Sequence, residues 1–246
     1  MVMTFENLSK LPGLTQFVTT RDEGTMDVRT DETAEGNRMA LAESIGIRPD
    51  AFIWCEQVHD NKAALVGTKE AGAGAAVHVT AIPGVDALVT QDEGVCLAVM
   101  VADCLPVLIH DPKTRTIAAC HAGRKGLLKD IIPRTLRLMS ERCDVAAADL
   151  LVGIGPAICK DHYAVTTSLL PKEVAAGQYV SEEDGETRLD LQGLATSQLI
   201  GAGVSADNIE VMPPCTSERT DMFFSARAEG ETGRFAAGIM LASGGA

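Results

Sequence analysis

Val95-Cys96-Leu97-Ala98-Val99-Met100-Val101 is an unbroken apolar run, followed at once by Ala102-Asp103-Cys104-Leu105-Pro106 and a second run, Val107-Leu108-Ile109-His110. A strand with one wet face alternates apolar and polar residues, whereas a run that is apolar at every position must be covered on both sides. The sheet holding Val95 to Val101 is therefore expected to lie between layers. Working outward, Asp86 to Thr90 and Arg115 to His121 read as further strands, the latter entered through the turn signal Asp111-Pro112-Lys113-Thr114. Thr15 to Thr20, Phe52 to Val58, Lys62 to Val66, Leu150 to Ile154, Phe223 to Ser225 and Phe235 to Leu241 have strand composition. Helical patterns cover Ala34 to Ile45, with Thr33 as N-cap, Gly46 at the boundary and Pro49 beyond. Two more cover Gly126 to Met139, which Pro133 must kink or open, and Leu191 to Leu199. The Gly/Ala-rich stretch from Gly67 to Ala76 reads as a mobile surface loop. Together these predict an α/β (α+β) fold, a layered α/β sandwich with a mixed β-sheet.

Composition narrows the class. The 246 residues are 46% hydrophobic and 22% charged, the balance of a globular protein able to fill a core without staples. Gly and Pro are spread along the chain with no long linker, so residues 1–246 are expected to form a single domain. A net charge of −13 argues against nucleic acid or an anionic membrane as partner, since both need an excess of Lys and Arg on one face. The start, Met1 to Glu6, lacks the basic and apolar blocks of a signal peptide, and Asp103 interrupts the longest apolar stretch, Val95 to Ile109. Seven cysteines without a CxxC fit a reducing compartment, so the expected location is the cytoplasm and no disulfide is assumed.

Three polar insertions end the apolar runs: Gln57-Val58-His59, Ala102-Asp103-Cys104 and Cys120-His121-Ala122-Gly123. Zinc accepts imidazole and thiolate together, and catalytic zinc commonly keeps three protein ligands with one open position. His59, Cys104 and His121 would supply that set. Alternation places His121 with Ala119 and Ile117, and Cys104, if its strand persists, with Ala102 and Met100. Pattern alone leaves open a buried cysteine and two hydrogen-bonded histidines without a metal. Asp103, beside Cys104, is a candidate acid/base or supporting group, and equally an aspartate that binds backbone amides.

The ordered series Asn37-Arg38, Gln57-Val58-His59, Asp86 to Thr90, Ala102 to Val107, His121-Ala122-Gly123, Gly153 to Ile158 and Phe223 to Arg227 with Thr232-Gly233-Arg234 resembles the YfiH family. That family is also called the laccase-domain or polyphenol-oxidase-like family. The resemblance runs from about Phe17 to Leu241. It implies a YfiH-like layered fold, zinc (or copper) held by His59, Cys104 and His121, and Cys104, Asp103 and His59 as catalytic candidates. Implied activities are purine nucleoside phosphorolysis, with adenosine deamination and methylthioadenosine phosphorolysis beside it. The alternatives are copper-dependent oxidation of phenols, or a non-catalytic binding protein whose metal is structural. Multicopper oxidation needs several His-rich sites, and this chain has five His.

Phosphorolysis requires an anion pocket for inorganic phosphate beside the nucleoside. Arg38, Lys125 and Arg227 are the candidate phosphate- or substrate-binding cations, with the helix start after Gly123 as a further anion site. Where the family usually has His-Ala-Gly-Trp-Arg-Gly, this chain reads His121-Ala122-Gly123-Arg124-Lys125-Gly126, losing the aromatic and replacing an arginine by lysine. The segment Cys159-Lys160-Asp161-His162-Tyr163 and the acidic stretch Arg21 to Asp31 also depart from the family pattern. His162 is expected to face solvent.

Overall fold

The computed structural model describes residues 2–175 and 177–242. Its first sheet joins β1 (Leu14–Val18), β2 (Phe52–Trp54), β5 (Cys96–Val101) and β13 (Phe235–Leu241) in the order β1-β13-β5-β2. The second joins β3 (Ala63–Leu65), β4 (Ala87–Thr90), β6 (Leu105–Asp111), β7 (Thr116–Ala122), β8 (Leu151–Ile154) and β12 (Ile209–Val211) in the order β12-β8-β6-β7-β4-β3. A small third sheet holds β9 (Ala164–Val165), β10 (Val180–Glu183) and β11 (Glu186–Leu189). Both large sheets are mixed: β2 runs parallel to β5, β3 to β4 and β12 to β8, and the other pairs are antiparallel.

The apolar run folds as expected, and strand periodicity sorts its side chains between two cores. Leu97, Val99 and Val101 enter the core between the large sheets, where they meet Leu88, Leu108, Ile117 and Ala119. Cys96, Ala98 and Met100 face outward onto a layer that includes Leu41 and Ala42 of the helix Ala34–Ser44. The far side of the second sheet, through Val89, Val107, Ile109 and Cys120, is covered by the helices Ile131–Cys143 and Leu191–Gly201. The result is a helix, sheet, sheet, helix sandwich. Truncating Leu97, fully buried between the sheets, to Ala should cost about 2–5 kcal/mol.

Several local expectations are corrected. The predicted strand Phe52 to Val58 stops at Trp54, because Gln57 and His59 both take positive φ (59°) and turn the chain toward the sandwich's end. The helix predicted from Gly126 is two pieces, Arg124–Leu127 and Ile131–Cys143, separated by Asp130 in a left-handed conformation, so that Pro133 falls in a first turn where it is tolerated. Phe223 to Ser225 is not a strand; Ser225 caps the short helix Ala226–Glu229, its hydroxyl oxygen accepting the Ala228 N–H. Thr33 precedes its helix but makes no side-chain cap, its hydroxyl donating to Asp31 instead. The stretch Gly67 to Ala76 is pinned rather than loose: Trp54 N–H donates to the Ala73 carbonyl and Gly72 N–H to that of Phe52. Among the described residues no helix is long and apolar enough to cross a membrane.

Candidate functional site

The connection from β5 to β6 carries the chain from one large sheet to the other, and Asp103 within it adopts φ 86°. Cys104 is thereby released from strand alternation and meets the two histidines. His59 arrives just beyond β2, and His121 sits near the end of β7. One potential ligand atom from each of the three lies within 4.8 Å of the others. The imidazole rings are perpendicular, with centroids 4.7 Å apart. Gly123 makes room for this convergence, since a Cβ there would stand 2.7 Å from Cys104 Sγ.

Asp86, fully buried, organises the group. Its Oδ1 accepts the Nδ1–H of His121 at 2.8 Å and the backbone N–H of His59 at 2.9 Å, while Oδ2 accepts the N–H of Asp60. These bonds hold His59 in its left-handed conformation and leave His121 Nε2 for a metal. Burial pushes the Asp86 carboxyl up, but the hydrogen bonds from His121, Asp60 and His59 outweigh it and keep the group below its usual range. Burial likewise opposes ionisation of Cys104, yet His121 and His59 bring its thiol down to about 6. His121 is lowered by burial and raised more by Cys104 and Asp86, to about 9. The donor set suits zinc: one thiolate and two imidazoles, one of them oriented by a carboxylate.

These three residues lie in a cleft of about 470 Å³, within the range of small-molecule sites. Tyr163, Met100 and Val101 give it apolar walls, and Arg29, Arg227 and Arg234 give it positive charge. The guanidinium of Arg227 lies 4.9 Å from the Tyr163 ring centroid, and its Nη1 donates to the Ala164 carbonyl. Arg29 is held in a two-pronged pair by Asp27, which accepts from Nε at 2.7 Å and Nη2 at 2.8 Å. Arg234 Nη1 donates to the carbonyls of Thr232 and Gly233.

Asp103 also borders the cleft, but its oxygens are occupied. Oδ1 accepts from the Thr216 and Ser225 hydroxyls and Oδ2 from the Arg227 N–H, each at 2.7 Å. It holds the Arg227 backbone in place, and with three hydrogen bonds accepted this geometry does not favour the acid/base role expected for it. Arg38 is buried outside the cleft wall, donating to the carbonyls of Met26, Gly74 and Ala75 and stacking 3.9 Å over Trp54. Its Nη2 touches Met100 Sδ, so it buttresses the wall rather than binding phosphate. Lys125 is exposed and does not border the cleft. The helix after Gly123 spans only Arg124–Leu127, too short for a strong dipole, so the expectation of an anion site there loses its main support.

Three cleft residues escaped the sequence reading. Arg29 lies in the acidic stretch, where neighbouring carboxylates hide from sequence a cation that borders the cleft. Arg234 closes the Thr232-Gly233-Arg234 motif, which gives no sign that its side chain borders the cleft. Tyr163 supplies an aromatic face to the cleft, while the motif position that usually carries an aromatic is Arg124 in this chain.

Comparison with known proteins agrees with this architecture. The family described as multi-copper polyphenol oxidoreductase laccase matches residues 23–242. A Bacteroides thetaiotaomicron protein named purine nucleoside phosphorylase is 30% identical over 98% of this chain and 96% of its own length. A Streptomyces coelicolor protein of the same name is 37% identical over 83% of this chain and 81% of its own. Among solved structures, YlmD from Geobacillus stearothermophilus superposes with a TM-score of 0.89 at 32% identity, covering 97% of this chain and 94% of that one. The YfiH protein of Bacillus licheniformis gives 0.90 at 27% identity, covering 98% and 96%. The chain belongs to this laccase-domain family, together with YlmD and YfiH.

Proposed function

We propose that the chain is a zinc-dependent purine nucleoside phosphorylase, and that adenosine deamination and methylthioadenosine phosphorolysis belong to the same site. One observation carries the reading: a two-histidine, one-cysteine group opens into the same cleft as three arginines and an aromatic ring. The names of the relatives point the same way.

In phosphorolysis an oxygen of phosphate forms the new bond to ribose C1′ as the C1′–N9 bond breaks, its electron pair leaving with the purine, which takes up a proton. Products are free base and ribose 1-phosphate. Arg227 and Arg234 are assigned to the phosphate charge, where a guanidinium can offer paired N–H donors. Asp103 holds the Arg227 backbone, and Tyr163 offers a face for the base or sugar. His59, Cys104 and His121 would hold the metal, which when bound supplies a Lewis acid and acidifies a water. Asp86 keeps His121 in the tautomer that can ligate. His59 and Cys104 thus serve as ligands rather than as proton carriers.

Copper-dependent phenol oxidation has less support. His78 lies in the 3-10 turn His78–Thr80, His110 is buried against the Thr116 carbonyl, and His162 belongs to a different cluster, so only His59 and His121 of the five histidines meet here. A purely structural metal fits poorly with a ligand group that opens into a cleft. The cytoplasmic setting is part of this reading, and all seven cysteines are free. Incubation with adenosine, inosine, guanosine and methylthioadenosine tests it: free base appearing only with phosphate reports phosphorolysis, inosine from adenosine without phosphate reports deamination, and no product from any of the four would overturn both.

A further inference from the structure

Behind the cleft wall a second group of metal-ligating side chains comes together: Cys159, His162, Cys215 and Glu218. They arrive as two pairs of identical spacing, Cys-x2-His and Cys-x2-Glu, more than fifty residues apart in the chain. Lys160–His162 is a 3-10 turn, with His162 N–H donating to the Cys159 carbonyl, a geometry that stacks residues three apart on one side. Cys215 to Arg219 makes one helical turn of its own, closed by Arg219 N–H on the Cys215 carbonyl. A parallel bridge between Ala157 and Cys215, and the Cys159 N–H donating to Cys215 Sγ at 3.2 Å, clamp the two turns face to face.

All four donor atoms lie within 4.8 Å of one another, and four of the six separations are close to the edges of a tetrahedral site. Cys159 Sγ lies 3.2 Å from His162 Nδ1 and 3.9 Å from Glu218 Oε1. His162 Nδ1 lies 3.9 Å from Cys215 Sγ and 3.4 Å from Glu218 Oε1. With zinc bonds of about 2.3 Å to sulfur and about 2.0–2.2 Å to nitrogen and oxygen, the edges of a tetrahedron are roughly 3.3–3.8 Å. Nothing in the phosphorolysis reading uses this group. We propose that it is a second zinc site, closed by four protein ligands and structural in role, separate from the His59, Cys104, His121 group.

Its position gives it a purpose. The turn it fixes leads directly into Tyr163 and Ala164, and Arg227 rests on both, its guanidinium over the Tyr163 ring and its Nη1 on the Ala164 carbonyl. The other turn holds Thr216, whose hydroxyl donates to Asp103. A zinc ion joining the two would therefore tie the aromatic wall of the cleft to the support of its arginine.

Zinc content of the intact protein, purified with zinc and dialysed free of excess, tests the site. The parent should hold about two zinc ions per chain, Cys104→Ser about one, Cys159→Ser about one, and the double variant none. Glu218→Ala, at an exposed side chain, should weaken the second zinc by about 10-fold or more in chelator competition while leaving the fold intact. Cobalt substitution separates the centres: Cys104→Ser should keep a thiolate-to-cobalt absorption band that disappears in the double variant. A parent with one zinc that Cys104→Ser abolishes, a Cys159–Cys215 disulfide in the native protein, or full zinc retention in both Cys159→Ser and Glu218→Ala would overturn the proposal.

Discussion

Asp86 and His121 form a fully desolvated pair, with the Nδ1–H of His121 donating to Asp86 Oδ1 at 2.8 Å while the same carboxylate binds the N–H groups of His59 and Asp60. One side chain thus orients a ligand ring and fixes the backbone of a second ligand. Asp86→Asn keeps the shape but weakens the acceptor and lets the imidazole choose the wrong tautomer. Zinc affinity at the cleft should fall about 10- to 100-fold, read by chelator competition in the presence of the Cys159→Ser change. Unchanged affinity would show that Asp86 does not tune the site.

Cys104→Ser should remove the cleft zinc while leaving the fold intact, because serine is close to cysteine in size and the surrounding strands do not depend on the thiol. Gly123→Ala should act similarly through geometry, its methyl standing 2.7 Å from Cys104 Sγ. Elemental analysis checks both, and full cleft occupancy in either variant contradicts the assigned ligand geometry.

Arg227→Ala removes a charged donor from the cleft but not the backbone N–H that Asp103 holds. Phosphorolysis should drop by about 10- to 100-fold, mainly through the phosphate dependence, and deamination should drop less. Lys125→Ala, outside the cleft, should stay within about twofold of the parent. Initial rates across phosphate concentrations decide, and a larger loss from Lys125→Ala would reverse the assignment.

Asp27 gives a pH test away from the metal ligands. Burial raises its carboxyl, but the hydrogen bonds and charge of Arg29 outweigh that and leave it below the usual range. A depressed native pKa means stability fully present above the unfolded value of about 3.9 and lost as pH falls through the native value. Asp27→Asn should therefore cost about 1.5–3 kcal/mol at neutral pH, and the gap should close in acid as the parent protonates. Urea unfolding at pH 7 and at successively lower pH measures it; a gap independent of pH would contradict the pairing.

The layered fold was legible because periodicity is local: Val95 to Val101 carries its own evidence of two covered faces. His59, Cys104 and His121 were legible as strand-end residues, although Cys104 meets the others only because Asp103 abandons the strand. What sequence could not disclose was the destination of cations. Arg38 and Arg227 look alike in a motif, yet one is buried over Trp54 with its donors on the Met26, Gly74 and Ala75 carbonyls and the other borders the cleft. Arg29 is hidden among acids, and Tyr163 reaches the cleft from a segment distant from the motif whose aromatic is missing. The Cys159 and Cys215 turns are separated too widely for spacing alone to pair them.

The most direct measurement is release of free base and ribose 1-phosphate from adenosine, inosine, guanosine and methylthioadenosine across a phosphate titration of the zinc-loaded protein. The account predicts saturable, phosphate-dependent formation of the two products in equal amounts with at least one of these nucleosides, lost in Cys104→Ser and weakened in Arg227→Ala. No phosphate-dependent product with any of the four would contradict it.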